Sequence, residues 1–203
     1  MEFVQYIPAI ISALATIITA WFAYNQYSKN KMTDIKIEKF RKEEEFRSKR
    51  RSDNSAIVYG ELWTLLHELQ ADRVYIVQPH PLGNEDFLSI YFEVKRKGVE
   101  PMKPHIQNLA IADVAKFGSE MVSNLFMYIS NIEDQVDDKY MKAILSTCGC
   151  SSVIIKRLND NRYDWVGSIF CEFTRPMDIS EADARKVMHE AATNIQYILP
   201  EFK

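Results

Sequence analysis

Glycine is scarce, with six residues in a chain of 203. No Walker loop, dinucleotide fingerprint, Gly-x-Ser-x-Gly elbow or His-Glu-x-x-His pair occurs, so the usual phosphate-cradling and hydrolytic arrangements are excluded and an enzyme is not expected. Cysteine is also scarce. Cys148, Cys150 and Cys171 cannot all pair within one chain, which argues against a secreted disulfide framework and for a reducing compartment. The Cys148-Gly149-Cys150 spacing lacks the paired pattern of a zinc site, and His67, His80, His105 and His189 are far apart, so no metal is expected. Accessible thiolates at Cys148 and Cys150 would permit redox chemistry. Cys171 reads as a small apolar residue inside a strand.

Charge is missing from Phe3 to Ser28. The run Ile7 to Tyr24 is almost entirely apolar or aromatic, and at 1.5 Å per residue it reaches about 27 Å, close to the thickness of a bilayer core. Pro8 falls in the first turn, where its missing amide is tolerated; Tyr6 stands at one end and Trp21, Phe22, Tyr24 and Tyr27 at the other, as interfacial aromatics do. Glu2 before the run and bulky aromatics after it do not fit a cleaved signal peptide. Residues 3–28 are therefore expected to form a single transmembrane helix. Between Lys29 and Arg51 there are ten Lys or Arg against five Asp or Glu, which by the positive-inside rule places the N-terminus outside and the remainder on the cytoplasmic side. Small residues at Ser12, Thr16 and Ala20, and at Ala15, Thr19 and Ala23, would let two such helices approach closely, which makes a homodimer an expectation.

Residues 29–54 lack glycine and proline and place acids one helical turn before bases, at Glu38/Lys42, Glu43/Arg47 and Glu45/Lys49. An exposed helical connector is predicted. Its apolar residues do not sustain heptads, so a full coiled coil is not. The membrane-proximal cations Lys29, Lys31, Lys49, Arg50 and Arg51 would face anionic lipid, and without interleaved aromatics they do not suggest nucleic acid.

Residues 55–203 read as one α+β soluble domain. The cluster Ser52 to Ser55 would cap or kink the chain, after which Val58, Leu62, Leu65, Leu66 and Leu69 form an apolar helical stripe. Arg73 to Gln78 and Phe87 to Val94 are predicted strands of an antiparallel hairpin turning over Pro79 to Asn84. Residues 99–142 form a helical and loop-rich insertion ending in an acidic stretch, Glu133 to Asp138, read as a solvated loop. A second strand pair, Val153 to Ile155 and Trp165 to Phe173, precedes a helix that starts at Ser180 and Asp183 and buries Val187, Met188, Ala191, Ile195 and Leu199.

This order of elements resembles the GAF family of small sensory domains over roughly residues 55–199. The phrases that carry the resemblance are Ala71-Asp72-Arg73-Val74-Tyr75-Ile76, Ser151-Ser152-Val153-Ile154-Ile155, Trp165-Val166-Gly167-Ser168-Ile169 and Ile179-Ser180-Glu181-Ala182-Asp183. The resemblance implies an antiparallel sheet backed by helices, with a small-molecule pocket on its front. By position that pocket would be lined by Phe117, Met121, Phe126 and Tyr128 and by the segment Ser146 to Cys150, including Cys148 and Cys150. The family's cyclic-nucleotide signature and its bilin-attaching cysteine context are not intact here, so the cofactor stays unknown.

The expected function is thus a membrane-anchored, non-enzymatic sensor or binding module with a small-molecule ligand or cytosolic protein partner. Two alternatives remain: a holin-like single-span protein of a phage or mobile element, and a membrane tether recruiting a cytosolic protein. Topology separates the holin-like reading, because such proteins place their soluble part on the outer side.

Overall fold

The computed structural model describes residues 7–83, 85–160 and 163–199. The chain divides into two compact units, residues 1–50 and 51–203. A single helix, α1 (Ile7–Glu68), contributes to both.

In the first unit α1 carries exposed Trp21, Phe22, Tyr24 and Tyr27, and further on exposed Met32, Ile37 and Phe40. Residues 3–6 of the expected span lie outside the described residues, as do the side chains of Ser12 and Ala15. Among the described residues no helix is long and apolar enough to cross a membrane. The connector is helical and exposed, and its Glu38–Lys42 pair forms at 2.7 Å. Glu43 and Glu45 instead turn back to Lys39 (4.0 Å) and Arg41 (3.2 Å). Each of these acids has a base one turn away on both sides, so the sequence alone does not choose the partner. Lys29, Lys31 and Lys49 are exposed; the side chains of Arg50 and Arg51 lie outside the described residues.

The second unit is built on a six-stranded antiparallel sheet, ordered β3-β2-β1-β6-β5-β4. Its strands are β1 (Arg73–Leu82), β2 (Glu85–Lys95), β3 (Leu109–Ala110), β4 (Phe126–Ile129), β5 (Ser152–Asn159) and β6 (Trp165–Phe173). Among the described residues four further α-helices are α2 (Ala115–Ser123), α3 (Ile132–Gln135), α4 (Lys139–Thr147) and α5 (Glu181–Ile195), and a 3-10 turn, Ile111–Val114, leads into α2.

Because strand side chains alternate, each strand serves both faces of the sheet. Val74, Ile76, Phe92, Ile154, Leu158, Ile169 and Cys171 join Val58, Leu62, Leu65 and Leu66 of α1, Leu69 just beyond its end, and Ala184, Met188, Ala191, Ala192 and Ile195 of α5 in one core. Tyr75, Val77, Ile90, Val153, Ile155 and Phe170 pack with Phe117 and Met121 of α2 and Met141 and Leu145 of α4 in a second core. The predicted apolar stripe from Val58 to Leu69 is buried in full; in α5, Val187 is half-buried and Ala184 and Ala192 complete the stripe, while Leu199, expected on this helix, lies half-buried beyond its end at Ile195.

Three expectations need correction. Ser52 to Ser55 neither cap nor break a helix: they lie inside α1, and Asn54 Nδ2 donates to the Ile198 carbonyl at 3.0 Å. The first hairpin turns later than predicted, since β1 continues through Pro79, His80, Pro81 and Leu82, paired to Leu88, Phe87, Asp86 and Glu85. Pairing with β6 has ended by Val77, so neither proline interrupts a central strand. Phe126 to Ile129 form the edge strand β4 rather than part of a helical insertion. The acidic stretch also does more than meet solvent. Asp138 caps α4, accepting from the amides of Tyr140 and Met141, and its other oxygen accepts from the Phe117 amide at 3.3 Å. The start of α5 is as predicted, with the Asp183 amide donating to Ser180 Oγ at 3.2 Å.

Candidate functional site

The residues expected to line a pocket separate onto two faces. Phe117, Met121, Cys148 and Cys150 gather in the core beneath α2 and α4, each with at most 6% of its surface exposed. Phe126 and Tyr128 point the other way. They alternate along β4 with Met127 and Ile129, and it is those two that face α2 and α4. Arg185 of α5 lies over the Phe126 ring, 4.4 Å from its centroid, and the Tyr128 hydroxyl donates to the Ile179 carbonyl at 2.7 Å. Both are thereby committed to the α5 side.

On the α2/α4 face, where β1 begins and β6 ends, lies a buried charged group that sequence reasoning did not single out. Arg73 of β1 and Glu172 of β6 stand directly opposite in the ladder, each about 1% exposed. Arg73 Nε donates to Glu172 Oε2 at 3.0 Å, its Nη2 donates to the same oxygen, and its Nη1 donates to the Glu100 carbonyl. The Tyr75 hydroxyl donates to Glu172 Oε1. Tyr75 stacks on Phe170 with centroids 5.0 Å apart, and Phe117 leans on Phe170 at 6.4 Å. The charges thus sit beside an aromatic stack that reaches from β1 through β6 to α2. The partners are 99 residues apart in sequence, and only the antiparallel register joins them. Charged residues inside runs otherwise rich in Val, Ile and Phe were the one available signal.

Burial dominates the electrostatics. It lifts the Glu172 carboxyl above the usual carboxylate range, outweighing Arg73 and the hydrogen bonds from Tyr75 and Cys150. The Tyr75 hydroxyl is likewise pushed up, first by burial and then by the Glu172 charge. All three cysteines are free and buried. Burial raises the Cys148, Cys150 and Cys171 thiols, the reverse of the lowered values that thiolate chemistry requires. Cys148 and Cys150 are thus packed into the α2/α4 core with neither thiol exposed. Among the described residues no group of three or more His, Cys, Asp or Glu is placed to hold a metal ion.

A groove of about 180 Å³ lies on the opposite side of the sheet, between α1 and α5. Glu61, Glu68 and Glu190 rim it with Thr64 and Asn194, over a floor of Leu65, Val187 and Ala191. None of the residues expected to bind ligand lines it.

No family model matches the sequence, and no curated protein matches it. Solved structures do share the fold. The GAF3 domain of Slr1393 from Synechocystis, in its photoproduct state, superposes with a TM-score of 0.58 at 14% identity, over 70% of this chain and 90% of that one. The blue-light-absorbing GAF domain of PixJ from Thermosynechococcus elongatus gives 0.56 at 11% identity, over 71% and 84%. A phycocyanobilin-bound GAF domain from a cyanobacterial phytochrome gives 0.54 at 17% identity, over 70% and 82%. The architecture is GAF-like: an α+β fold with a six-stranded antiparallel sheet flanked by helices.

Proposed function

We propose that this chain is a non-enzymatic sensory or binding module, held at the cytoplasmic membrane by its N-terminal helix, whose GAF-like domain takes a small molecule on the α2/α4 face of the sheet. The observation that carries the reading is the fold shared with photosensory GAF domains, together with the chemical asymmetry of the sheet. On that face an ion pair and a tyrosine are held beside stacked aromatic rings, the mixture of apolar wall and few fixed polar groups that suits a small ligand. Opening would require α2 or the segment around Cys148 to yield, because Phe117 and Met121 now fill the space. A covalently attached bilin is not the ligand proposed, since all three thiols are buried and raised.

The membrane anchor rests on sequence alone: the charge-free stretch Phe3 to Ser28 and the basic excess that follows it. Reporters active only inside or only outside the cytoplasmic membrane, fused after Lys203, test it. A signal from the inside reporter with the protein in the membrane fraction is expected. An outside signal overturns the orientation and favours the holin-like alternative, and a fully soluble product overturns the anchor. A thermal-shift screen of small molecules on the full chain in detergent tests the ligand. Hits whose shift disappears in Phe117→Ala and persists in Glu190→Gln would support the α2/α4 face, whereas the opposite pattern would move the site to the α1/α5 groove.

A further inference from the structure

On the α5 side of the sheet two cations are brought to one aromatic ring, and one of them is paired to an acid. Lys156 occupies β5 between Ile154 and Leu158, both fully buried against α5, so its side chain starts from the same face. It is the register partner of Phe126, and directly opposite residues of an antiparallel pair share a face. The guanidinium lying over that Phe126 ring belongs to Arg185, whose Nη2 donates to Glu181 Oε1 at 2.7 Å. Lys156 is half-buried, and among the described residues no carboxylate or other acceptor engages its ammonium.

A strongly hydrated ammonium is costly to hold partly out of water beside a like charge. Burial first, and then Arg185, lower the Lys156 pKa, so the folded protein disfavours the charge that a compensating anion would restore. The Phe126 ring supports the flat guanidinium from beneath, leaving donors that Glu181 does not use.

We propose that Lys156 and Arg185, with Phe126 as the platform, form a site for a compact oxyanion, a phosphate or carboxylate group that bridges the ammonium and the guanidinium. Glu181 is its built-in competitor, because it already accepts from the same guanidinium. The site lies on the sheet face opposite Arg73 and Glu172, so it stands or falls independently of the ligand face proposed above.

Titration calorimetry on the full chain in detergent, at fixed ionic strength in a chloride background, provides the test, with inorganic phosphate and acetate as probes. Saturable one-site binding is expected, with phosphate the stronger if the natural group is a phosphomonoester and acetate the stronger if it is a carboxylate. Lys156→Gln and Arg185→Gln should each weaken binding roughly tenfold or more, as expected for losing a charge-assisted hydrogen bond. Glu181→Gln should tighten it, and that gain cannot come from misfolding. Absence of saturable binding of either probe to the wild type overturns the proposal. So does binding that Lys156→Gln and Arg185→Gln leave unchanged, or that Glu181→Gln fails to strengthen.

Discussion

The two faces of one sheet solve the problem of burial differently. Against α1 and α5 the strands bury mainly aliphatic and aromatic carbon, matched by leucines and alanines on the helices, and keep the ammonium-bearing Lys156 only half-buried. Against α2 and α4 the same strands bury a guanidinium, a carboxylate and a phenol within a shell of Phe, Met and Cys. The first face follows the ordinary hydrophobic rule. The second pays a desolvation cost that its hydrogen bonds must offset, and replacement of such a pair by packed apolar residues is often neutral or favourable. Stability is therefore a weak account of Arg73 and Glu172, and the ligand proposed above for the α2/α4 face offers another.

The comparison breaks most sharply at the ion pair. Arg73→Ala or Glu172→Ala leaves one buried charge without its partner and is expected to cost about 3–5 kcal/mol; urea unfolding of the full chain in detergent measures it. Arg73→Met combined with Glu172→Met should recover much of that loss. A double variant as unstable as the singles would show that the pair itself is needed to hold the fold. On the opposite face, Leu65→Ala should cost about 2–5 kcal/mol by opening a cavity, and unfolding followed from pH 4 to 8 should keep the wild-type slope.

Gly167 of β6 lies close against β1. A Cβ there would meet the Val77 carbonyl at 2.8 Å and Gln78 Cγ at 3.1 Å. Gly167→Ala is accordingly expected to cost about 1–3 kcal/mol through overpacking, visible as a lowered urea midpoint. The pH dependence sharpens the contrast further. Glu172 titrates above its ordinary value of 4.5 when folded, so the folded state holds the proton more tightly than the unfolded chain. Its contribution is fully present below pH 4.5 and is lost as the pH rises through the folded pKa, with a slope of at most about 1.4 kcal/mol per pH unit. Glu172→Gln should remove that slope. An unchanged slope would show that other groups cause it. The smallest effect is expected at the α5 cap, where Ser180→Ala should cost about 1 kcal/mol, read from the same unfolding curves.

Much of this architecture could be read from local pattern. The α1 stripe, the β5–β6 pair and the capped start of α5 each announce themselves within about a dozen residues, because periodicity and capping are local properties. The edge strand β4 does not, since four residues are too few to establish alternation. The same brevity hid the opposite directions of Phe126 and Phe117, so the expected ligand residues divide between the two faces. Ser52 to Ser55 look like a helix boundary because their side chains suit caps, yet burial of Val58 to Leu69 and the Asn54 bond to Ile198 keep the helix intact through them. The Arg73–Glu172 pair was beyond any local reading, because register between β1 and β6 creates it.

The two prolines at the end of β1 carry a consequence for life in a crowded cell. Beyond Val77 the strand is no longer laddered to β6, though it stays paired to β2 as far as Leu82, so along its other border the ladder to β6 stops. Pro79 and Pro81 are two residues apart and so withhold their donors along the same border, the one that a foreign strand would need to join. The ribbon can therefore lengthen the hairpin without offering a template for runaway cross-β stacking between molecules.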